Sequence, residues 1–76
     1  MNSNDISRML NEALPGAQIV VHGEGGKFEV DIVSPVFEGL NRVKRQQAIY
    51  RILNEHIASG AIHAVSMILK SPAEAA

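Results

Sequence analysis

Cysteine is absent from this 76-residue chain. Its absence excludes disulfide bonds, a thiolate metal site made by the chain alone and a cysteine nucleophile, and it is compatible with a reducing compartment. No apolar run approaches the roughly 18–20 residues that a membrane span needs, and we find no basic and apolar leader at the N-terminus. We therefore expect one cytoplasmic domain, residues 1–76, without membrane association.

Five elements of secondary structure are predicted from hydrophobic periodicity. They are a helix that begins at a cap on Ser3 or Asn4, strands at 18–22 and 27–34, a helix from Arg42 to Ser59 and a strand from Ile62 to Leu69. Pro15-Gly16 ends the first helix, the glycine turn 23–26 makes a hairpin of the first two strands, and Ser34-Pro35 ends the second strand. Gly60 fits the position after the main helix. The last six residues are expected to form a polar tail.

The predicted order, α-β-β-α-β, indicates an α+β fold with a three-stranded mixed sheet. Phe28, Val30 and Ile32 alternate with charged residues, so one face of the second strand is expected to be buried. In the third strand we expect His63 to share a face with Val65. The helical crossover places the third strand parallel to the second. Helices then cover one face of the sheet and leave the other partly open. The apolar stripe of the main helix is predicted to be Ile49, Ile52, Leu53, His56 and Ile57.

Three groups of residues, in this order, resemble one known family. They are Lys27-Phe28-Glu29-Val30 with Val33-Ser34, then Phe37-Glu38-Gly39 with Arg42-Val43-Lys44-Arg45-Gln46-Gln47 and Tyr50, and finally Ile62-His63-Ala64-Val65-Ser66. Over nearly the whole chain they are similar to the BolA family, and within it to the short bacterial BolA-like proteins. The resemblance implies a fold similar to class II KH domains.

The same resemblance implies a non-enzymatic accessory protein of iron–sulfur metabolism. The implied partner is a monothiol glutaredoxin, and a [2Fe–2S] cluster bridges the two proteins in cluster trafficking or iron sensing. The family's C-terminal histidine falls on His63, which would be an iron ligand. The glutaredoxin would supply one cysteine ligand, and its bound glutathione another. The family is also linked to transcriptional control and stress response.

One position departs from the family pattern. A histidine or cysteine usually stands directly before the phenylalanine of the second strand, as a second candidate ligand, and here that residue is Lys27. A protonated ammonium has no lone pair for a metal. His22 lies at the other end of the glycine turn and is the alternative metal ligand. Cluster binding would use His63 alone, recruit His22, or be weak.

Basic residues are concentrated at the start of the main helix, although the net charge of the chain is only −1. Arg42, Lys44 and Arg45 with Tyr50 are predicted to form a docking surface for the glutaredoxin, because arginine binds carboxylates bidentately. An alternative function is a small KH-like nucleic-acid-binding regulator that contacts phosphates through the same basic residues and Arg51. A solvated helix start is the third interpretation of this segment.

Other classes of function are weakly supported. A KH domain clamps nucleic acid with a Gly-x-x-Gly loop, but the candidate loop at residues 39–42 lacks the second glycine, and only three aromatic residues could stack on bases. No nucleophile–base set indicates an enzyme. The glycine turn joins two strands, so it does not match a phosphate-binding loop. A homodimer through the open sheet face or the third strand is compatible with either function.

Overall fold

The computed structural model describes residues 1–76 and has the predicted order of elements. The elements are helix α1 (Ser3–Ala13), strands β1 (Gln18–Glu24) and β2 (Lys27–Val33), a 3-10 helix (Pro35–Phe37), helix α2 (Arg42–Ala58), strand β3 (Ala64–Lys70) and helix α3 (Pro72–Ala75). None of the helices is both long and apolar enough to cross a membrane.

Helix α1 is capped by Asn2, so the prediction of Ser3 or Asn4 as the cap was wrong. Asn2 Oδ1 accepts a hydrogen bond from the Asp5 backbone N–H at 2.9 Å, and the Asp5 carboxylate accepts one from the Asn2 backbone N–H at 2.9 Å. A reciprocal capping box requires an acidic or amide side chain three positions after the cap. Asp5 stands three positions after Asn2, so Asn2 is the cap. The hydrogen bond from Asn2, with Arg8 nearby, lowers the pKa of Asp5 below its ordinary value.

The β1–β2 hairpin closes on a turn of two residues, Gly25-Gly26, and this turn is shorter than predicted. Gly23 pairs with Phe28 and Glu24 pairs with Lys27, so β1 extends two residues further than expected. Both turn residues have positive φ, 62° at Gly25 and 80° at Gly26. Tight type I′ hairpin turns need this conformation at both central residues, and glycine adopts it without steric cost.

The sheet has the order β1-β2-β3, with β1 antiparallel and β3 parallel to the central strand β2. The mixed sheet and its parallel crossover are confirmed. Phe28, Val30 and Ile32 are buried, as predicted, while Glu29 on the opposite face is exposed. β3 lies at an edge of the sheet. On the face opposite the core, Val20 and Ile68 remain exposed, as the prediction of helices on one side requires.

The core is formed by side chains from the sheet, α1, α2 and their connections. Its nine buried members are Ile6, Leu10, Phe28, Val30, Ile32, Phe37, Ile49, Leu53 and Ile62. Of the stripe predicted for α2, Ile49 and Leu53 are buried, and the other three members are half-buried. Gly60 follows the Ser59 cap of α2 with a φ of 85°, as its predicted position requires.

The start of β3 differs from the prediction by two residues. The ladder with β2 begins at Ala64, which pairs with Lys27. Ile62 is buried in the core and donates its backbone N–H to the His56 carbonyl at 3.0 Å, so it continues the end of α2. His63 precedes the strand and is exposed. The alternation that we expected for residues 62–69 therefore does not extend to His63, which is exposed whereas Val65 is half-buried.

Candidate metal-ligand and partner-binding site

His63 is held against the turn of the β1–β2 hairpin. Its backbone N–H donates to the Gly26 carbonyl at 2.7 Å, and the N–H of Ala64 donates to the same oxygen at 3.2 Å. The side chain of His63 is exposed at the end of the sheet where β3 begins. An imidazole at this place is accessible to a partner protein and can offer a nitrogen lone pair to a metal.

A shallow cleft of about 290 Å³ adjoins His63. The cleft lies between α2 and the start of β3 and is lined by Tyr50, Ile57, Ile62, His63, Ala64 and Val65. Tyr50 remains 42% exposed. The structure therefore brings together two residues that the sequence assigned to function, Tyr50 and His63, beside an apolar recess.

Lys27 is the nearest residue of β2 to this site. It directly follows Gly26, is exposed, and pairs with Ala64 in the parallel ladder. The position at which the family resemblance led us to expect a second candidate ligand therefore adjoins His63 in this fold. The lysine ammonium here cannot act as that ligand while it is protonated.

His22 lies on the outer strand β1 and is exposed. It pairs with Glu29, which in turn pairs with Ser66, so β2 separates His22 from β3. Two strand spacings amount to about 10 Å across the sheet. Nowhere in the chain do three histidine, cysteine, aspartate or glutamate side chains group closely enough to hold a metal ion. The chain alone thus does not assemble a complete ligand set.

Arg45, predicted as a docking residue, is used inside the protein. Its side chain is only 14% exposed. The Nε–H donates to the Leu40 carbonyl at 2.9 Å, and Nη1 donates to the Leu69 carbonyl at 3.2 Å and to Glu74 Oε1 at 2.6 Å. The guanidinium carbon also lies 5.9 Å from the ring centre of Phe37. These contacts join α2, β3 and α3, so the guanidinium is already occupied by partners within the chain.

The C-terminal residues that complete these contacts form α3 rather than a tail. Ser71 caps α3, and Glu74 Oε1 accepts a hydrogen bond from the Ser71 backbone N–H at 2.8 Å. This hydrogen bond and the Arg45 guanidinium lower the pKa of Glu74 to about 2. The pattern Ser71-Pro72-Ala73-Glu74, a capping box with proline in the first turn, is the sequence signal that indicates this helix.

The other basic residues of α2 are not among those that line the cleft beside His63. Arg42, Lys44 and Arg51 are exposed on α2. Arg42 precedes Tyr50 by eight residues, which is about 12 Å along a helix. With Lys70 it lines a different groove of about 490 Å³ between the start of α2 and the end of β3. The predicted docking set is thus divided between the first turn of α2 and Tyr50 in the middle of the helix.

Comparisons with known proteins agree with this architecture. Residues 4–74 match the family model described as BolA-like protein. The chain is 43% identical over 74 residues to the acid stress protein IbaG of Escherichia coli strain K12, covering 97% of this chain and 88% of that protein. A BolA homologue from Coxiella burnetii superposes with a TM-score of 0.85 at 29% identity, covering 99% of this chain and 96% of the other.

A second solved structure, BolA1 from Arabidopsis thaliana, superposes with a TM-score of 0.81 at 33% identity, covering 95% of this chain and 93% of the other. The proteins of this family are non-enzymatic, which agrees with the sequence-based expectation. From the family match, the identity to IbaG and the shared fold, this chain belongs to the BolA-like family and is similar to its short bacterial, IbaG-like members.

Proposed function

We propose that this chain is an accessory protein of iron–sulfur metabolism that docks on a monothiol glutaredoxin. His63 would supply one ligand to a [2Fe–2S] cluster shared by the two proteins. The observation that carries the proposal is the exposed imidazole of His63, fixed beside a hairpin turn and an apolar cleft. Family membership supports it.

The residues of the site fit a shared cluster better than one held by this chain alone. Histidine replaces cysteine on one iron of some [2Fe–2S] centres and raises their reduction potential. The chain has no cysteine, and His63 has no close group of further ligands. The other ligands would therefore come from outside, as a cysteine of the glutaredoxin and the thiolate of its bound glutathione.

We place the docking surface at the His63 end of α2. Tyr50 belongs to the cleft beside His63, and tyrosine is enriched at protein interfaces. Arg51 lines an adjoining recess with Tyr50, where a guanidinium can bind a carboxylate of glutathione or of the partner. Arg42 and Lys44 precede Tyr50 by eight and six residues, about 12 and 9 Å along the helix, so they would contact only a partner that also covers the first turn of α2.

The test is reconstitution with a monothiol glutaredoxin, glutathione, iron and sulfide, followed by visible absorption and circular dichroism. The wild-type complex should give a spectrum distinct from that of the glutaredoxin homodimer, and His63→Ala should abolish it. His22→Ala is the matched control, because His22 is also an exposed histidine near the glycine turn. If His22→Ala removes the mixed spectrum as well, His22 is a second ligand. If His63→Ala leaves the spectrum unchanged, the assignment of His63 is wrong.

Nucleic-acid binding is the second candidate function, and one observation favours it. The groove between α2 and the edge strand β3 carries Arg42 and Lys70 on its lining, with Lys44 exposed on the same first turn of α2. Phosphate contacts by these cations would make affinity fall steeply with salt. Arg42→Ala and Lys44→Ala should then weaken binding and reduce the salt slope by about 1 each. Binding that is unchanged in both variants would contradict this function.

A further inference from the structure

We propose that Gly26 is a positioning residue for His63. The missing side chain at Gly26 leaves the space in which the imidazole lies, and this contact sets the orientation of the ring toward a docked partner. The consequence for cluster binding rests on the proposed function, whereas the contact itself belongs to the free protein.

Of the two turn residues, only Gly26 lies against the imidazole of His63. A Cβ atom added at Gly26 would overlap Cδ2 of His63 and would lie 3.2 Å from Cγ and 3.4 Å from Nε2. A Cβ added at Gly25 would have no neighbouring heavy atom within 4 Å. The imidazole therefore packs directly on the backbone of Gly26, and any side chain at this position would have to displace it.

The contact also defines which edge of the ring is free. Cδ2, Cγ and Nε2 are the ring atoms closest to the position of the added Cβ, so the Nδ1–Cε1 edge faces away from the turn. The two backbone hydrogen bonds to the Gly26 carbonyl hold the main chain of His63 and Ala64 against the same turn. The backbone and side chain of His63 are thus both held by a single residue.

The contact with Gly26 would favour binding because it lowers the conformational entropy that the His63 side chain loses when the partner docks. A ligand side chain with several rotamers loses entropy when a metal fixes it, and a ring already held in one orientation loses less. Groups that orient a metal ligand change metal affinity by about 10–100-fold when they are removed. We expect an effect of this size when Gly26 gains a methyl group.

Gly25→Ala is the matched control for Gly26→Ala. Both residues have positive φ, 62° and 80°, so each substitution strains the backbone of the same turn. Only Gly26→Ala also meets the imidazole. The double variant Gly26→Ala/His63→Ala has no imidazole ring, so the new methyl group at residue 26 no longer overlaps a side chain at residue 63. If the single variant is destabilised through the ring, the double variant should recover stability relative to Gly26→Ala in urea denaturation.

The experiment has one arm in the free protein and one in the complex. In the free protein, NMR should show contacts from the His63 ring proton on Cδ2 to the Gly26 α-protons in the wild type, preserved in Gly25→Ala. In Gly26→Ala this ring contact should be lost. In the reconstituted glutaredoxin complex, Gly26→Ala should weaken formation of the mixed cluster about 10-fold or more, while Gly25→Ala should stay within about 2-fold.

The outcomes separate this proposal from the proposed function. Unchanged ring contacts in Gly26→Ala, or equal losses in both alanine variants, would overturn the positioning role. A displaced ring with undiminished mixed cluster would also overturn it, although His63 would remain a ligand. If the wild type forms no mixed cluster, the proposed function fails, and the ring contacts and the double variant still decide whether Gly26 positions His63.

Discussion

Replacing Arg45 with alanine should destabilise the protein strongly, although Arg45 belongs to a run of basic residues at a helix start. The side chain is 14% exposed and donates to two backbone carbonyls and one carboxylate. Alanine would leave the Leu40 and Leu69 carbonyls without these donors and would remove the guanidinium from the face of Phe37.

The size of the effect follows from these contacts. A carbonyl that loses its donor costs about 1–3 kcal/mol, and the lower value applies because water can enter from the adjoining groove. The cation–π contact adds about 0.5–1 kcal/mol. We expect a loss of roughly 2–3 kcal/mol in the free energy of unfolding. For 76 residues, 1 kcal/mol corresponds to about 6 °C in Tm, so Tm should fall by about 12–18 °C.

Urea denaturation followed by far-UV circular dichroism measures this loss. Arg42→Ala is the control, since Arg42 is exposed three residues earlier on the same helix and should change stability by less than about 0.5 kcal/mol. Arg45→Lys keeps the charge but not the forked geometry, so it should fall between wild type and Arg45→Ala. If Arg45→Ala and Arg42→Ala were equally stable, the internal contacts of Arg45 would not contribute to the free energy of unfolding. Arg45 would then again be a candidate for the docking surface.

Two further predictions concern the ends of the sheet. The Ser71 backbone N–H and the Arg45 guanidinium lower the pKa of Glu74 from its ordinary value of 4.5 to about 2. Its ionised form therefore stabilises the fold above about pH 4.5, and this contribution is lost as the pH falls toward 2; Glu74→Gln should flatten that part of the stability profile in urea denaturation from pH 6 to pH 2. Lys27→His should lengthen the lifetime of the mixed cluster by adding an imidazole beside His63, measured by loss of visible absorption after chelator addition. Lys27→Gln is the control, and equal lifetimes in both variants would contradict the expected gain.

The parts of the fold that were predicted correctly depend on local signals. Alternation in β2 and the glycine turn identify the hairpin, and the helical period identifies α2 between Asn41 and Gly60. The parallel placement of β3 follows from the helical crossover. Each of these signals lies within a few residues of the element that it defines.

The parts that were missed depend on contacts between distant residues. Arg45 contacts Leu69 and Glu74, which follow it by 24 and 29 residues in the sequence. A run of basic residues at a helix start does not indicate whether its side chains are solvated or bound to distant parts of the chain. The placement of His63 within the third strand was wrong because the ladder with β2 begins at Ala64, and side chains alternate in a strand only where the ladder exists. The contact of Gly26 with His63 has no sequence signal, since glycine in a turn is explained by its φ alone.

The Arg45 contacts lie at the start of α2 and the end of β3, whereas His63 precedes the start of β3 and its cleft reaches from Tyr50 to Ile57 on α2. Arg45 precedes Ile57 of the cleft by twelve residues, or about 18 Å of helix, and Leu69 follows Ala64 by five residues, or about 17 Å of strand. Changes at sites this far apart, with no shared partner, usually add. Arg45→Ala should therefore lower stability without moving the His63 ring, and Gly26→Ala should move the ring in either background. If the double variant lost more or less stability than the two single variants together, α2 and β3 would be transmitting strain from the Arg45 contacts to His63.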